Sequence, residues 1–305
     1  MSGETTALDG AGPDDIRFHY DVGTPFFALW LDPELTYSCA LWDDVAGPDE
    51  DSAALQEAQR AKVDYHLKQA GVVEGSRLLD VGCGWGSLLA RSVQTAGGAA
   101  AVSATGLTLS RDQYDHVRSL RLPGAEVRLE HWRDHRPSQP YDAVVSIGAF
   151  EHFAQPGMDA DERIAAYHRF FEAAFQWLPA RGRLSLQSIA LDDVADQDGP
   201  LRAFFTGEVF PQSALPRLSQ ILRAADPLFS LSALRVDPDD YVRTLRCWTA
   251  RLDKNREQAD QLVGPPTTRG FLRYLRVSQH VLQRRLSTLY RITLERRRSR
   301  LPLSL

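Results

Sequence analysis

Short apolar runs alternate with helical spacing through the middle of the chain. RLLDV (77–81), AAAVSATGL (99–107), AEVRLE (125–130), YDAVVSI (141–147) and RLSLQSI (183–189) read as strands. The fourth is uncharged after Asp142, which predicts burial on both faces. Between them, WGSLLARSVQTA (85–96), SRDQYDHVRSL (110–120) and DERIAAYHRFFEAAFQWL (161–178) read as helices. Ser110 and Gln113 have the spacing of a capping box, and Gly182 punctuates the third helix. This rhythm predicts an α/β fold, a doubly wound parallel sheet with helices on both faces.

The flanks extend the pattern. SAALQEAQRAKVDYHLKQA (52–70) reads as a helix that Ser52 can cap, with Leu55, Ala58, Ala61 and Tyr65 near helical spacing. After residue 190 the rhythm breaks. A polar stretch, DDVADQDGP, is followed by aromatics, prolines and helix-forming residues to 227, the composition of a lid-like insert. LFSLSALRV (228–236) returns to strand, and the residues from Pro238 to Leu262 are helical with a proline start. FLRYLRVSQHVLQRRL (271–286) continues helical, and STLYRITLE (287–295) is a last strand.

Composition narrows the function classes. The 305 residues suffice for one large domain with its own core. Acids cluster in the first 60 residues, and arginines, from Arg273 to Arg300, crowd the last 35. That basic C-terminal region would suit a membrane surface or an acidic acyl-carrier protein; a solvated face balancing the acidic front is the plainer account. Cys39, Cys83 and Cys247 are far apart and match neither a zinc spacing nor a disulfide framework, so no metal centre is expected. No apolar run reaches membrane-spanning length, and the N-terminus lacks the apolar core of a secretory signal. A cytoplasmic protein, at most peripheral to a membrane, is expected. No zinc-finger, helix-turn-helix or RNA-recognition pattern is present, so nucleic acid is not an expected partner.

LLDVGCGWGS (78–87) carries the first chemistry. Asp80, Gly82, Gly84 and Gly86 follow a strand and precede a helix, where bare backbone can approach a ligand closely. The spacing is not that of a dinucleotide fingerprint, and the second strand ends in TGLTLS without the acid that would bind a ribose. Thr108 and Gln113 are the polar candidates there. SIGAFEHF (146–153) carries the second: Glu151 follows an apolar strand, where an unpaired carboxylate costs free energy.

HYDVGTPFFALWLDPELTYSCALW (19–42), AQRAKVDYHL (58–67), LLDVGCGWGS, GLTLSRDQ (106–113) and SIGAFEHF together resemble the cyclopropane fatty acid synthase and mycolic acid cyclopropane synthase family. VFPQSALP (209–216), DYVRTL (240–245) and FLRYL (271–275) are weaker echoes. The resemblance implies a Rossmann-like class I methyltransferase that uses S-adenosylmethionine. It implies a single domain over 19–305; residues 1–18, acidic and without an apolar segment, read from composition as a disordered tail. Within it lie an N-terminal helical cover (19–70), a cofactor-binding core (71–190), the insert (191–227) and a C-terminal part (228–305) that completes the sheet and the substrate site. The implied substrate is an unsaturated acyl lipid, methylated at an alkene carbon through a carbocation.

By motif position the resemblance places a bound bicarbonate against Cys39, Ile147, Glu151, Tyr241 and Gln187, which stands in LQSI at the position of a family histidine. It places the cofactor against Tyr37, Ser38, Asp80, Gly82, Gly84, Gly86, Leu107, Thr108, Gln113, Trp132 and Ile147. Trp132 reads equally as an adenine cover or a core residue; His152, Cys83 and Cys247 read as structural. Phe204, Phe205, Phe210 and Leu215 would line an acyl tunnel or anchor the insert. Two positions depart from the family. Gln187 stands where it has histidine, and Asp240 stands where a histidine precedes the tyrosine. Glutamine donates hydrogen bonds but carries no charge, and an extra acid repels an anion unless it points away. A cyclopropane and a methyl branch both remain open as products. The alternative is a specialised C-, N- or O-methyltransferase of a small natural product with a modified bicarbonate site.

Overall fold

The computed structural model describes residues 22–48, 51–95, 102–155, 157–192 and 214–299. The proposed tail, most of the insert, Phe204, Phe205 and Phe210 lie outside these residues. The chain runs α1 (Thr24–Ala28), α2 (Ser52–Ala70), β1 (Arg77–Val81), α3 (Ser87–Thr95), β2 (Ser103–Thr108), α4 (Arg111–Ser119), β3 (Ala125–Leu129) and β4 (Ala143–Ile147). After a 3-10 turn (Phe150–His152) come α5 (Ala160–Trp177), β5 (Arg183–Leu191), α6 (Leu218–Ala225), β6 (Phe229–Val236), α7 (Pro238–Lys254), α8 (Arg256–Val263), α9 (Pro265–Gln283) and β7 (Ser287–Arg296).

The described strands form one sheet in the order β3-β2-β1-β4-β5-β7-β6. β1 to β5 are parallel, as the alternating rhythm requires, but β7 inserts antiparallel between β5 and β6. β4 is buried on both faces at Ala143, Val144 and Val145, as its uncharged run implies. The order reverses between β1 and β4. Ligands of open α/β sheets bind outside the carboxyl ends of strands at such a switch point. The fold is α/β and Rossmann-like.

Three packed layers hold the site in place. Phe150, Tyr167, Phe170 and Phe171 join α5 to one sheet face. Val63, Leu67, Leu88 and Leu89 cover the other. Phe26, Phe27, Trp30, Trp85 and Trp248 form an aromatic core that fastens the N-terminal cover to α7 and α9. Cys247 is fully buried in this core.

Several local expectations are corrected. Asp51, not Ser52, caps α2: its carboxylate accepts from Ala53 N at 2.8 Å. The inward face of α2 carries Gln59, Lys62 and His66 beside Leu55 and Ala58, whereas Ala61 and Tyr65 are only half-buried. Only half of the capping box on α4 forms. Ser110 Oγ accepts from Gln113 N at 3.3 Å, but the Gln113 side chain turns to Thr108. The long helical stretch from Pro238 breaks at Asn255 into α7 and α8.

Candidate active site

The glycine loop leaves β1 and turns into α3. Gly82 N and Cys83 N donate to Leu107 O at 3.0 and 2.9 Å, which ties the loop to the end of β2. Gly82 has φ 83°, and a Cβ there would lie 2.5 Å from Ala149 Cβ. Gly84 has φ 53°, and a Cβ there would meet nothing within 4 Å. Its open side faces a cavity of about 150 Å³. Gly86 packs against Val117 instead. Cys83 is buried under the loop beside Gly106, a packing position.

Each residue assigned to the cofactor by motif, Gly86 apart, borders this cavity. Asp80 is buried, which pushes its carboxyl up to about 7 while Lys62 pulls it down. Thr108 Oγ1 donates to Gln113 Oε1 at 2.7 Å, so the amide N–H groups of Gln113 are the end left for a ligand. Trp132 borders the cavity and also packs on Phe153 and Phe170, so cover and core are one position. These residues fit an adenosylated amino acid: bare backbone where phosphate-free contact is needed, an acid, an amide and an aromatic wall.

Residues 36–42 form a ledge between this cavity and the rest of the site. Asp32 accepts from Thr36 N at 2.8 Å and shapes the turn that starts it. No described strand pairs with the ledge, so side chains and the backbone of α2 satisfy it: Leu41 N donates to Ala58 O at 3.0 Å. Gln59 Nε2 donates to Ser38 O at 2.8 Å, and Ala40 N donates to Thr244 Oγ1 at 3.1 Å. Lys62 Nζ donates to Ser38 Oγ at 2.7 Å; burial lowers this lysine to about 8.

Beyond the ledge lies a second cavity of about 30 Å³, bordered by Cys39, Glu151, Gln187, Ser188, Tyr241 and Tyr274. Tyr37, Ser38, Gly148 and His152 border both cavities. Ile147 borders only the larger one. Leu215 borders neither. Glu151 is buried, and desolvation pushes its carboxyl up to about 7 against the pull of Ser188 Oγ at 3.2 Å. Burial raises the Cys39 thiol to about 12, so it is no thiolate nucleophile. His152 is held neutral by burial, lowered to about 4.

Asp240 does not border the small cavity. Its carboxylate accepts from Trp42 N at 3.2 Å and lies 3.7 Å from Arg291 Nη1. The acid that threatened an anion site therefore points away. Gln187 is backed by two residues that sequence reasoning missed: Arg291 Nε lies 3.0 Å and His66 Nε2 3.3 Å from its Oε1. Lys62 and His66 lie in the AQRAKVDYHL motif but were given no role there; as polar residues at i and i+4 on α2 they would ordinarily be assigned to the exposed face. Tyr274 left no signal beyond its motif echo.

The family model described as mycolic acid cyclopropane synthetase matches residues 11–292. Cyclopropane mycolic acid synthase 2 of Mycobacterium leprae is 33% identical over 300 residues, covering 92% of each chain. Cyclopropane mycolic acid synthase 1 of Mycobacterium tuberculosis is 34% identical over 277 residues, covering 86% of this chain and 89% of its own. Among solved structures, mycolic acid cyclopropane synthase CmaA1 complexed with SAH and CTAB superposes with a TM-score of 0.82 at 31% identity, covering 94% of this chain and 99% of that one. The chain belongs to the mycolic acid cyclopropane synthetase family.

Proposed function

We propose that the protein is an S-adenosylmethionine-dependent enzyme that transfers a methyl or methylene carbon to the double bond of an unsaturated acyl lipid. One observation carries this reading: the glycine-loop cavity and the Glu151 cavity share a wall, at Tyr37, Ser38, Gly148 and His152. A reacting carbon at that wall would have the cofactor on one side and a buried carboxyl on the other.

When bound, S-adenosylmethionine supplies an electrophilic methyl on a sulfonium centre. The alkene π pair would form the new carbon–carbon bond to that methyl, with the old bond pair leaving on sulfur, and the neighbouring alkene carbon would become a cation. That step needs no base. Loss of a proton from the added methyl closes a cyclopropane; proton loss elsewhere or capture by water leaves a branched chain. We assign Asp80, Gly82, Gly84, Leu107, Thr108, Gln113 and Trp132 to holding the cofactor; Gly86, packed against Val117, shapes the turn of the loop instead. Tyr37 and Ser38 stand at its methionine end, and Ile147 belongs on the same side. Cys39, Gln187 and Tyr241 would hold a bicarbonate beside Glu151, the carboxyl placed to share the departing proton. The aromatic core of the cover keeps water from the cation.

No described helix is long and apolar enough to cross a membrane. In this reading the enzyme works in the cytoplasm on lipid presented by a membrane surface or an acyl carrier. Arg276, Arg285, Arg291 and Arg297 are paired with Asp253, Asp239, Asp237 and Asp226, so part of the basic C-terminal region is neutralised within the chain. The specialised natural-product reading is not favoured. Asp240 was one of its two grounds, and it turns away from the cavity.

The test is product mass in a host with unsaturated phospholipids, fed methionine with a fully deuterated methyl. Acyl chains one carbon heavier are expected. Two retained deuteriums mean the methyl lost a proton, as in a ring; three mean a branch. Absence of any labelled lipid would overturn the reading.

A further inference from the structure

Arg291 is fully buried in the middle of β7, yet it borders neither cavity. It lies opposite Gln187 on β5 and opposite Arg235 on β6. Two arginines facing each other across a ladder repel. Here Asp237 accepts from both, and Asp43 accepts from Arg235 in a bidentate pair at 2.7 and 2.8 Å. The remaining donors of Arg291 are also spent. Nε reaches Gln187 Oε1 at 3.0 Å, and Nη2 reaches Ala40 O at 2.7 Å and Cys39 Sγ at 3.6 Å. A buried ion pair is seldom the most stable way to fill such a space; an apolar side chain of similar volume is often as good or better. What distinguishes this one is its contacts. It grips Gln187 and the Cys39–Ala40 ledge, and both Gln187 and Cys39 are walls of the small cavity.

The polarity of the Gln187 amide then follows without ambiguity. A guanidinium is donor-only, so the atom 3.0 Å from Arg291 Nε must be the amide oxygen. His66 Nε2, 3.3 Å from the same oxygen, must carry a hydrogen; burial keeps this histidine neutral, so its Nδ1 accepts from Ser185 Oγ at 2.8 Å. With its oxygen held from behind by two donors, Gln187 turns its nitrogen the other way, to 3.4 Å from Cys39 O at the cavity wall. An amide nitrogen has two hydrogens. One is spent on that weak bond, and one remains for an occupant. The cavity, at about 30 Å³, exceeds the roughly 10–15 Å³ that admits one water, and it is too small for an acyl chain.

We propose that Arg291 is a positioning residue that, with His66, locks Gln187 as a hydrogen-bond donor toward the small cavity and so makes a neutral amide serve a bicarbonate-class oxyanion. The inference rests on the reading of this cavity given above. It explains how glutamine can stand where the family has histidine. The charge is supplied from one layer behind, and the amide delivers a directed donor without a proton to lose. Removing Arg291 would free Gln187 to flip and present its carbonyl, which repels an oxyanion.

The test is binding of carbon-13 bicarbonate to the full chain loaded with S-adenosylhomocysteine, followed by NMR line broadening, with melting temperature recorded for every variant. Saturable broadening is expected for the parent. The pair Arg291→Met with Asp237→Asn removes one charge of each sign and should bind at least tenfold more weakly. Gln187→Glu keeps the bond to Arg291 but turns an acceptor to the cavity. It should melt no lower than the parent and also bind at least tenfold more weakly, which a merely structural role would not produce. No saturable binding by the parent, or equal binding by the Arg291 double variant, overturns the proposal. Lipid methylation by the parent is scored in parallel. Bicarbonate binding without labelled lipid would sink the lipid reading and leave the role of Arg291 standing; labelled lipid without bicarbonate binding would do the reverse.

Discussion

Gln187 and Arg291 are direct cross-strand partners on antiparallel strands, joined by a 3.0 Å bond between two fully buried side chains. Gln187→Leu would leave two buried donors, Arg291 Nε and His66 Nε2, without their acceptor. Stranding donors of this kind costs about 1–3 kcal/mol. Urea unfolding should show a lower midpoint for Gln187→Leu than for Gln187→Glu, which still accepts from both.

Glu151 is the carboxyl nearest the proposed reaction. Glu151→Gln keeps shape and neutrality but cannot take up a proton. Turnover should fall by about 100-fold or more, the range for loss of a positioned acid–base group. Affinity for S-adenosylhomocysteine, measured by titration calorimetry, should stay within about twofold, because Glu151 does not border the larger cavity. Unchanged turnover would remove Glu151 from the mechanism.

The raised carboxyl of Glu151 has two consequences for pH. Turnover that needs its anion should rise with pH through about 7. Ser188→Ala deletes a hydrogen bond that favours the anion, so the rising limb should move to higher pH. Stability runs the other way. The unfolded carboxyl has its ordinary value of 4.5, so between there and about 7 only the folded state holds the proton. This contribution is full below 4.5 and is lost as pH rises through 7. Asp80, also raised to about 7, acts in the same direction. Denaturant unfolding at a series of pH values should show a shallower decline for Glu151→Gln.

Gly82 and Gly84 of the cofactor loop should fail differently. Gly82→Ala drives a methyl into Ala149 at 2.5 Å and should lower both the melting temperature and cofactor binding. Gly84→Ala meets no atom of the protein, so only its left-handed backbone costs stability, about 1–2 kcal/mol. Its methyl projects to the cofactor side. Titration with S-adenosylhomocysteine should show a loss of affinity larger than its modest loss of stability.

The strands and the glycine loop were legible because each is written locally. β1 is RLLDV in both sequence and structure, and β5 and β7 run within two residues of their apolar runs. A strand buried on both faces must be apolar throughout, and a backbone with positive φ must be glycine or pay strain, so both constraints act on neighbouring residues. The α/β class, the loop, and the gathering of Cys39, Glu151, Gln187 and Tyr241 around one cavity all follow from such local or motif-level signals.

What the sequence could not determine is which polar residues turn inward. Lys62 and His66 look like the wet face of a helix, and Arg291 looks like the outward residue of an alternating strand. Their burial depends on the ledge at residues 36–42, on α7, and on β7 running antiparallel between β5 and β6. A buried cation is tolerable only when distant partners supply its acceptors, here Asp237, Ala40 and Gln187 from three separate parts of the chain. Those partners meet only in three dimensions. The chemistry of Gln187, neutral by sequence, was therefore decided by the tertiary structure that places a guanidinium behind it.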